Sequence, residues 1–271
     1  MSAQDAWARE LAVARAAVAR AAGEVRAGRG RGWASLRTKT SLADLVTDVD
    51  VASERLLRQA LQEAFPDDVV VAEETAPALA AAPRRWLVDP LDGTVNFVHG
   101  YPFVAVSVAL VDADGPAVGV IAAPFLGEEF WAVRGGGAYR NGERLRTSGV
   151  DTPERALLAT GFPFKPGKGD PHAYFALLAD LTPRIHGLRR AGSAALDLAY
   201  VATGQLDGFF ELGLAPWDVA AGLLLVQEAG GCVGPWPGRP GPPWERGDVL
   251  AGTQAVFAWL QEALAPYTPR L

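Results

Sequence analysis

Apolar residues in the first quarter of the chain recur with the period of an α-helix. Residues 3–27 are rich in alanine, and their larger apolar residues recur at roughly helical spacing, which predicts one amphipathic helix. A second helix is predicted to begin after the polar residues 47–50. The larger apolar positions are Trp7, Leu11, Val18 and Val25 in the first helix, and Val51, Leu56, Leu57, Leu61 and Phe65 in the second.

Short apolar runs follow the second helix, and turn residues separate them. Asp114-Gly115 and Asn141-Gly142 are tight-turn signals, so the runs around them predict hairpins. The first half of the chain is therefore predicted to be α+β, with helices and an antiparallel sheet. Its predicted strands are residues 69–71, 86–88, 104–111, 118–123, 129–133 and 138–139.

Strands and helices alternate in the second half, which predicts α/β structure. We therefore divide the chain into residues 1–150, an α+β part, and residues 151–271, an α/β part, within one continuous catalytic unit. Asp218 is predicted to cap a helix that ends at Gly230-Gly231. The predicted strands are residues 156–160, 185–188, 206–212 and 249–251, and the predicted helices are residues 171–182, 194–203, 216–229 and 254–264.

Two segments fit no regular element. Residues 26–33, RAGRGRGW, are rich in glycine and arginine, and a flexible connector is favoured there over a nucleic-acid-binding patch. Residues 234–244, GPWPGRPGPPW, are favoured as a surface loop over a ligand for proline-recognition domains.

The stretch from Trp86 to His99, WLVDPLDGTVNFVH, combines two kinds of chemistry. Asp89 and Asp92 flank a proline where a buried strand is predicted to end, and Gly93 permits a sharp turn. Thr94 is predicted to cap a short helix, whose start can hold an anion. Hard oxygen ligands beside an anion site suit Mg²⁺ and a phosphate group. Read by itself, the stretch fits equally a turn whose aspartates only cap.

Composition narrows the function classes. The net charge of −6 and the pI of about 5.2 disfavour a nucleic-acid partner, and no apolar run is long enough to span a membrane. The single Cys232 excludes an intramolecular disulfide and is consistent with a cytoplasmic setting. The chain contains neither a P-loop nor a G-x-S-x-G motif.

Several carboxylates lie at the ends of predicted elements. With three histidines in no zinc-type spacing, oxygen-only ligation indicates Mg²⁺ or Mn²⁺. Cations together with a phosphate dianion would balance the carboxylate charges. Asp50 either stabilises a helix start or faces a bound water, and the sequence leaves both open. These carboxylates are Asp50, Glu73, Asp89, Asp92, Glu211 and Asp218.

These motifs resemble those of the inositol monophosphatase family, a family of Mg²⁺-dependent, lithium-sensitive phosphatases. WLVDPLDGTVNF resembles the family's first signature and PWDVAAGLLLVQEAGG its second, in the family's order. AEET resembles the family's Gly-Glu-Glu segment with Ala72 in place of glycine, and GFPFK at residues 161–165 resembles bacterial members. The resemblance implies a layered αβαβα sandwich of the inositol monophosphatase and fructose-1,6-bisphosphatase type, and a homodimer.

The resemblance also implies residue roles. Two or three Mg²⁺ ions, for which Mn²⁺ can substitute, would be bound, and a water activated by them would attack the phosphate. Asp50, Thr94 and Glu73 would be catalytic, and Lys39 would lie on a mobile loop near the site. The implied metal ligands are Glu73, Asp89, the Leu91 carbonyl, Asp92 and Asp218, and the implied substrate contacts are Asp92, Gly93, Thr94, Gly192, Ser193, Ala194, Glu211 and Asp218.

The implied activity is hydrolysis of inositol monophosphate or a similar small polyol or sugar phosphate. Asn96, Phe97 and His99 resemble the inositol-phosphatase branch. The same chemistry on fructose 1,6-bisphosphate, NADP, histidinol phosphate or a 3′-phosphonucleotide is the alternative. A regulatory protein that binds RNA or the transcription machinery, through residues 26–31, is the alternative from another class.

Overall fold

The computed structural model describes residues 3–32, 35–39, 45–75, 82–163 and 170–271. Predicted features that fall on residues 33–34, 40–44, 76–81 and 164–169, among them part of the linker before β4 and the last two residues of the GFPFK segment, lie outside the described residues. The helices are α1 (Ala3–Ala6), α2 (Ala8–Arg31), α3 (Asp48–Ala64), α4 (Thr94–Val98), α5 (Pro171–Leu181), α6 (Ala194–Ala202), α7 (Pro216–Glu228), α8 (Pro243–Arg246) and α9 (Gln254–Leu264).

The strands form two large sheets and a two-stranded ribbon, β1-β2. The strands are β1 (Leu36–Thr38), β2 (Leu45–Thr47), β3 (Val69–Ala72), β4 (Arg85–Asp92), β5 (Ala105–Asp112), β6 (Gly115–Ala123), β7 (Glu128–Val133), β8 (Gly137–Arg140), β9 (Glu143–Arg144), β10 (Leu157–Thr160), β11 (Gly187–Arg189), β12 (Gly208–Glu211), β13 (Cys232–Pro235) and β14 (Val249–Gly252).

Strand order separates the two halves of the chain. The first sheet has the order β3-β4-β5-β6-β7-β8-β9 and is antiparallel except between β3 and β4, which are parallel. The second sheet has the order β11-β10-β12-β14-β13 and is parallel only among β10, β11 and β12. The wholly antiparallel sheet predicted for the first half is therefore wrong at β3. The division of the chain at residue 150 stays a prediction.

Three apolar cores join the layers. One core lies between α2, α3 and the first sheet, and a second surrounds α6 and α7 between the two sheets. A third joins the second sheet to α5 and α9. The layers therefore follow the order αβαβα, as the resemblance implied. Within the described parts of the chain, no helix is both long enough and apolar enough to span a bilayer.

Residues 26–31 are helical, so the flexible connector predicted there is wrong. Gly28 lies against α3, where an added Cβ would meet Val49 at 2.5 Å, and Gly30 is tolerated within the helix. Arg29 stacks on Phe125, with its guanidinium carbon 3.3 Å from the ring centroid. Tertiary contacts thus override the weak helix propensity of glycine.

Two further predictions needed correction. Val51, assigned to the apolar face of α3, is 44% exposed, and that face carries Asp50, Ser53 and Glu54 beside its leucines. The loop at residues 234–244 does not lie wholly on the surface. It begins within β13, ends within α8, and buries Trp236 completely.

Close approach of α7 to its neighbours depends on small residues. A Cβ at Gly222 would lie 2.6 Å from the Leu198 Cβ on α6, and a Cβ at Gly119 on β6 would lie 3.0 Å from the Ala221 Cα. Larger residues at these positions would push α7 away from α6 or from the first sheet. This packing determines where the start of α7 lies.

We expect Gly222→Ala to lower the free energy of unfolding by about 1–3 kcal/mol, because the added methyl group overlaps Leu198. Gly23→Ala on α2 is the matched control, since its methyl group would meet only the end of Arg26 at 3.9 Å. The control should gain up to about 1 kcal/mol from helix propensity. Equal stability of the two variants in thermal denaturation would contradict the packing argument.

Candidate active site

The end of β4 directs two carboxylates to one side of the first sheet. Leu87 faces α6 and α7, and Asp89, two residues on, lines a cavity on the same side. Residues three apart in a regular strand face opposite sides. Pairing with β5 shifts register between Asp89, opposite Ser107, and Asp92, opposite Ala105. The extra residue in β4 turns Asp92 toward the cavity as well.

Two other elements bring carboxylates to Asp89. Glu73 directly follows β3, the parallel neighbour of β4, and its N–H donates to the Val88 carbonyl at 3.1 Å. Asp218 lies in the first turn of α7. Carboxylate oxygens of Glu73, Asp89 and Asp218 lie within 4.8 Å of one another. Such an oxygen-only set fits a hard divalent cation.

The negative charges in this cluster repel one another. Asp89 is 1% exposed, and burial, followed by the negative charges of Glu73, Asp92 and Asp218, raises its pKa well above the usual range. One hydrogen bond from the Leu91 N–H acts in the opposite direction. A bound cation would relieve this repulsion, so the electrostatics of the cluster also fit a metal site.

Asp218 and Thr94 do not cap their helices, contrary to prediction. Ala215 is the N-cap of α7, and the Asp218 Oδ2 accepts the Ala215 N–H at 2.7 Å. Gly93, in the left-handed region at φ 88°, is the N-cap of α4. A Cβ at Gly93 would lie 3.0 Å from the Phe103 carbonyl oxygen, so this close turn requires glycine.

The Thr94 hydroxyl links two parts of the site. Its Oγ1 lies 2.9 Å from the Asp50 Oδ1 and 3.1 Å from the Leu91 carbonyl oxygen. The Asp50 Oδ2 accepts the Thr47 N–H at 2.9 Å and the Thr47 hydroxyl at 2.5 Å. Burial raises the pKa of Asp50, although its hydrogen bonds with Thr47 and Thr94 act to lower it. The Asp50 carboxyl group is therefore a buried hydrogen-bond acceptor behind Thr94.

The start of α6 holds the second aspartate of β4. The Asp92 Oδ2 accepts the Ser193 hydroxyl at 2.7 Å and the Ala195 N–H at 2.8 Å. Gly192, at φ 89°, makes the turn before this helix. Asp92 thus lies between β4 and the C-terminal half of the chain, and it is not one of the three carboxylates that converge most closely.

Lys39 contacts the acidic pair after β3. Its Nζ lies 3.0 Å from the Glu73 Oε1 and 2.6 Å from the Glu74 Oε1. Burial opposes the charge of Lys39, but the two carboxylates outweigh it and raise its pKa. Burial also raises the pKa of Glu74 to about 7. Lys39 therefore partly neutralises the negative edge of the cluster.

Ser53 and Glu54 of α3 hydrogen-bond to the segments that carry the site residues. The sequence analysis selected neither of them. Ser53 is fully buried, and its hydroxyl donates to the Pro90 carbonyl at 2.8 Å. Glu54 is 2% exposed, and it accepts the Glu74 N–H at 2.7 Å and the Thr75 hydroxyl. One signal was available, because Asp50, Glu54 and Leu57 share one face of the helix.

A cavity of about 290 Å³ collects the predicted residues, and only Asp50 and Lys39 do not line it. The roles of all the predicted site residues stay predictions. The lining residues that had not been assigned to the site include Thr160, Arg190 and Asp197. Asp197 carried a signal, because it is the one charge in the apolar run AALDLAYVA. The predicted residues in the lining are Glu73, Asp89, Leu91, Asp92, Gly93, Thr94, Gly192, Ser193, Ala194, Glu211 and Asp218.

Glu211 ends β12 and forms the wall contributed by the second sheet. A Cβ at Gly161 would lie 1.9 Å from the Glu211 Oε1, so any larger residue at position 161 would displace this carboxylate from its present position. Acidic groups thus reach the cavity from both sheets and from α6 and α7.

Comparison with known sequences assigns the chain to a family. The profile described as the inositol monophosphatase family matches residues 7–268. The chain belongs to this family. The inositol monophosphatase family thereby accounts for the αβαβα layers and for the acidic cavity between them.

Relatives within the inositol monophosphatase family carry different names. The chain is 44% identical over 230 residues to Nus factor SuhB of Pseudomonas aeruginosa, covering 83% of this chain and 84% of the relative. It is 42% identical over 224 residues to inositol-1-monophosphatase of Rhizobium meliloti, covering 82% and 83%. The crystal structure of extragenic suppressor protein suhB from Bartonella henselae superposes with a TM-score of 0.85 at 37% identity, covering 93% and 96%.

We expect Asp89→Asn to raise the melting temperature of the chelator-treated protein by about 2–6 °C, because it removes one of several negative charges that repel one another. The exposed Asp114→Asn is the control.

The sign of the pH dependence follows from the raised pKa of Asp89 in the folded state. Below about pH 4 the carboxyl group is protonated in both folded and unfolded chains, so the variant's advantage should vanish. It should grow as pH rises from there toward the folded-state pKa. Lower stability of the variant at neutral pH in chelator would contradict the repulsion argument.

Proposed function

We propose that this chain is a Mg²⁺-dependent phosphomonoesterase that acts on inositol monophosphate or a similar small polyol phosphate. The observation that carries the proposal is the convergence of Glu73, Asp89 and Asp218 within 4.8 Å, beside the hydrogen-bonded pair of Asp50 and Thr94. Membership of the inositol monophosphatase family supports the same reaction class.

In this proposal, oxygen ligands at the ends of β3, β4 and the start of α7 hold two or three Mg²⁺ ions, for which Mn²⁺ can substitute. When bound, the ions neutralise the phosphate dianion, acidify water and stabilise the leaving oxygen. The buried, mutually repelling carboxylates favour such cations. The proposed ligands are Glu73, Asp89, the Leu91 carbonyl, Asp92 and Asp218.

The Asp50 and Thr94 side chains orient the attacking water. A hydroxyl group has one proton, so donation from the Thr94 Oγ1 to the Asp50 Oδ1, 2.9 Å away, leaves an Oγ1 lone pair free to accept from water. The water proton can then pass through Thr94 to Asp50, whose raised pKa favours uptake. The N–H groups of Gly93 and Thr94 hold the phosphate oxygens.

The remaining cavity wall binds the alcohol part of the substrate. Asp92, Ala194 and Glu211, with Asp218, are proposed to contact hydroxyl groups, and Gly192 and Ser193 shape the turn beside them. A wall rich in carboxylates suits a ligand with several hydroxyl donors. The proposal also includes a homodimer, which the family resemblance implies, and a cytoplasmic location, with which the single Cys232 is consistent.

A transcription-associated role is the second candidate, because the relative at 44% identity is named Nus factor SuhB. The arginines first considered for RNA binding are engaged within the fold. Arg26 lies 3.5 Å from the Pro124 carbonyl, Arg29 stacks on Phe125, and Arg31 pairs with Glu24. Salt-sensitive RNA binding that Asp89→Asn leaves intact would favour this role.

Phosphate release in Mg²⁺, with and without Li⁺, tests the proposed reaction. The substrates are inositol 1-phosphate, fructose 1,6-bisphosphate, adenosine 3′,5′-bisphosphate, NADP and histidinol phosphate. We expect the highest kcat/KM with inositol 1-phosphate, inhibition by Li⁺, and a loss of about 10³-fold in Asp89→Asn with the fold retained. Release from none of them, or substantial Mg²⁺-dependent turnover by Asp89→Asn, would defeat the proposal.

Glu54→Gln tests how the turn carrying Glu73 is held. A neutral amide replaces the charged acceptor of the bonds from the Glu74 N–H and the Thr75 hydroxyl, and hydrogen bonds to a neutral acceptor are weaker than those to a carboxylate. We expect the dissociation constant for Mg²⁺, measured by calorimetry, to rise about tenfold. Glu63→Gln, exposed on the same helix, is the control. Equal constants for the two variants would show that Glu54 does not position Glu73.

A further inference from the structure

Asp197 is a buried acidic residue to which the proposed reaction assigns no role. It lies on α6 within the apolar run AALDLAYVA and is 2% exposed. It nevertheless lines the same cavity as Asp92 and Glu211. A side chain at this position contacts whatever occupies that part of the cavity.

The hydrogen bonding of Asp197 is incomplete. Its Oδ1 is fully buried and has no hydrogen-bond partner among the residues that the structure describes. Burying a polar atom without a partner is unfavourable, and buried polar atoms in folded proteins are nearly always paired. The helix dipole does not explain why Asp197 is buried, because acidic residues in the first turn of an exposed helix gain the same stabilisation. The Asp197 Oδ1 therefore lacks a hydrogen-bond partner of the kind that a ligand group in the adjoining cavity can supply.

The charges around Asp197 limit the chemistry of that ligand. Burial, then the negative charges of Glu211 and Asp92, hold its pKa well above the usual range, while Arg190 acts in the opposite direction. An apolar group would leave the carboxyl unpaired, and an anionic group would be repelled by Glu211 and Asp92. A hydroxyl group satisfies the site in either protonation state, because it both donates and accepts.

We propose that Asp197 hydrogen-bonds a hydroxyl group of the polyol substrate and is a specificity-determining residue of this enzyme. The proposal rests on the phosphomonoesterase function proposed above and adds a contact from α6 to the cavity wall. It predicts that one particular hydroxyl of the substrate is recognised through Asp197.

Pairing enzyme variants with altered substrates tests this contact directly. Wild type and Asp197→Leu are compared on inositol 1-phosphate and a series of its monodeoxy analogues, with kcat and KM measured separately. In wild type we expect loss of one hydroxyl to lower kcat/KM about tenfold, chiefly through KM, and in Asp197→Leu we expect that same loss to have no further effect. Asp197→Asn, which can still donate and accept, should restore the selectivity.

Asp207→Asn is the control for a purely structural effect. Asp207 is also buried, but it accepts from the Ser148 hydroxyl and the Leu157 N–H. That variant should keep the wild-type ranking of the analogues. If removing each hydroxyl group lowers kcat/KM by the same factor in wild type and in Asp197→Leu, the inference is overturned while the phosphatase assignment stands. If wild type releases no phosphate from inositol 1-phosphate, the proposed function fails first and the inference fails with it.

Discussion

Repulsion between the buried Asp89 and the partly exposed carboxylates around it is the constraint on which the geometry of the site depends. Asp89 is almost fully buried beside Glu73 and Asp218, although moving an ionised carboxylate out of water costs free energy. The rest of the fold must therefore hold these charges together. The apolar core around α6 and α7 fixes Asp218, and the parallel pairing of β3 with β4 fixes Glu73 beside Asp89. Affinity for a cation and electrostatic strain in its absence have the same physical origin.

Helix α3 joins the separate parts of the site. Within two turns it presents Asp50 to Thr94, Ser53 to the Pro90 carbonyl, and Glu54 to the turn that follows β3. These contacts fix the relative positions of a hydroxyl, the end of a strand and an acidic turn. Because the same face also packs Leu57 and Leu61 into the core, a shift of the helix would disturb all three contacts together. Stability and site geometry are coupled through this element.

Local patterns predicted much of the fold. Sequence patterns located β5 to within one residue at each end, α9 at both ends, and β6 except for its first three residues, and the resemblance brought distant carboxylates to one cavity. Features that depend on contacts between residues far apart in the sequence were not predictable. The glycine-rich end of α2 is helical because Gly28 packs against Val49 and Arg29 stacks on Phe125, and neither contact is visible in a local window. Asp197, the one charge in an apolar run, and Glu54, on the same helix face as Leu57, carried signals of burial, but neither signal reveals which distant residues surround the acid.

The register shift at the end of β4 has a consequence for how this site can change. Leu91 points toward α2 and α3 while Asp89 and Asp92 face the cavity only because one extra residue lies between the two aspartates. Regular pairing of these residues with β5, without the bulge, would remove no carboxylate, yet it would turn Asp92 into the apolar core and Leu91 toward the cavity. The irregular pairing of β4 with β5 is thus as essential to the site as the aspartates themselves. A change that removes the bulge can abolish the site without replacing any of its carboxylates.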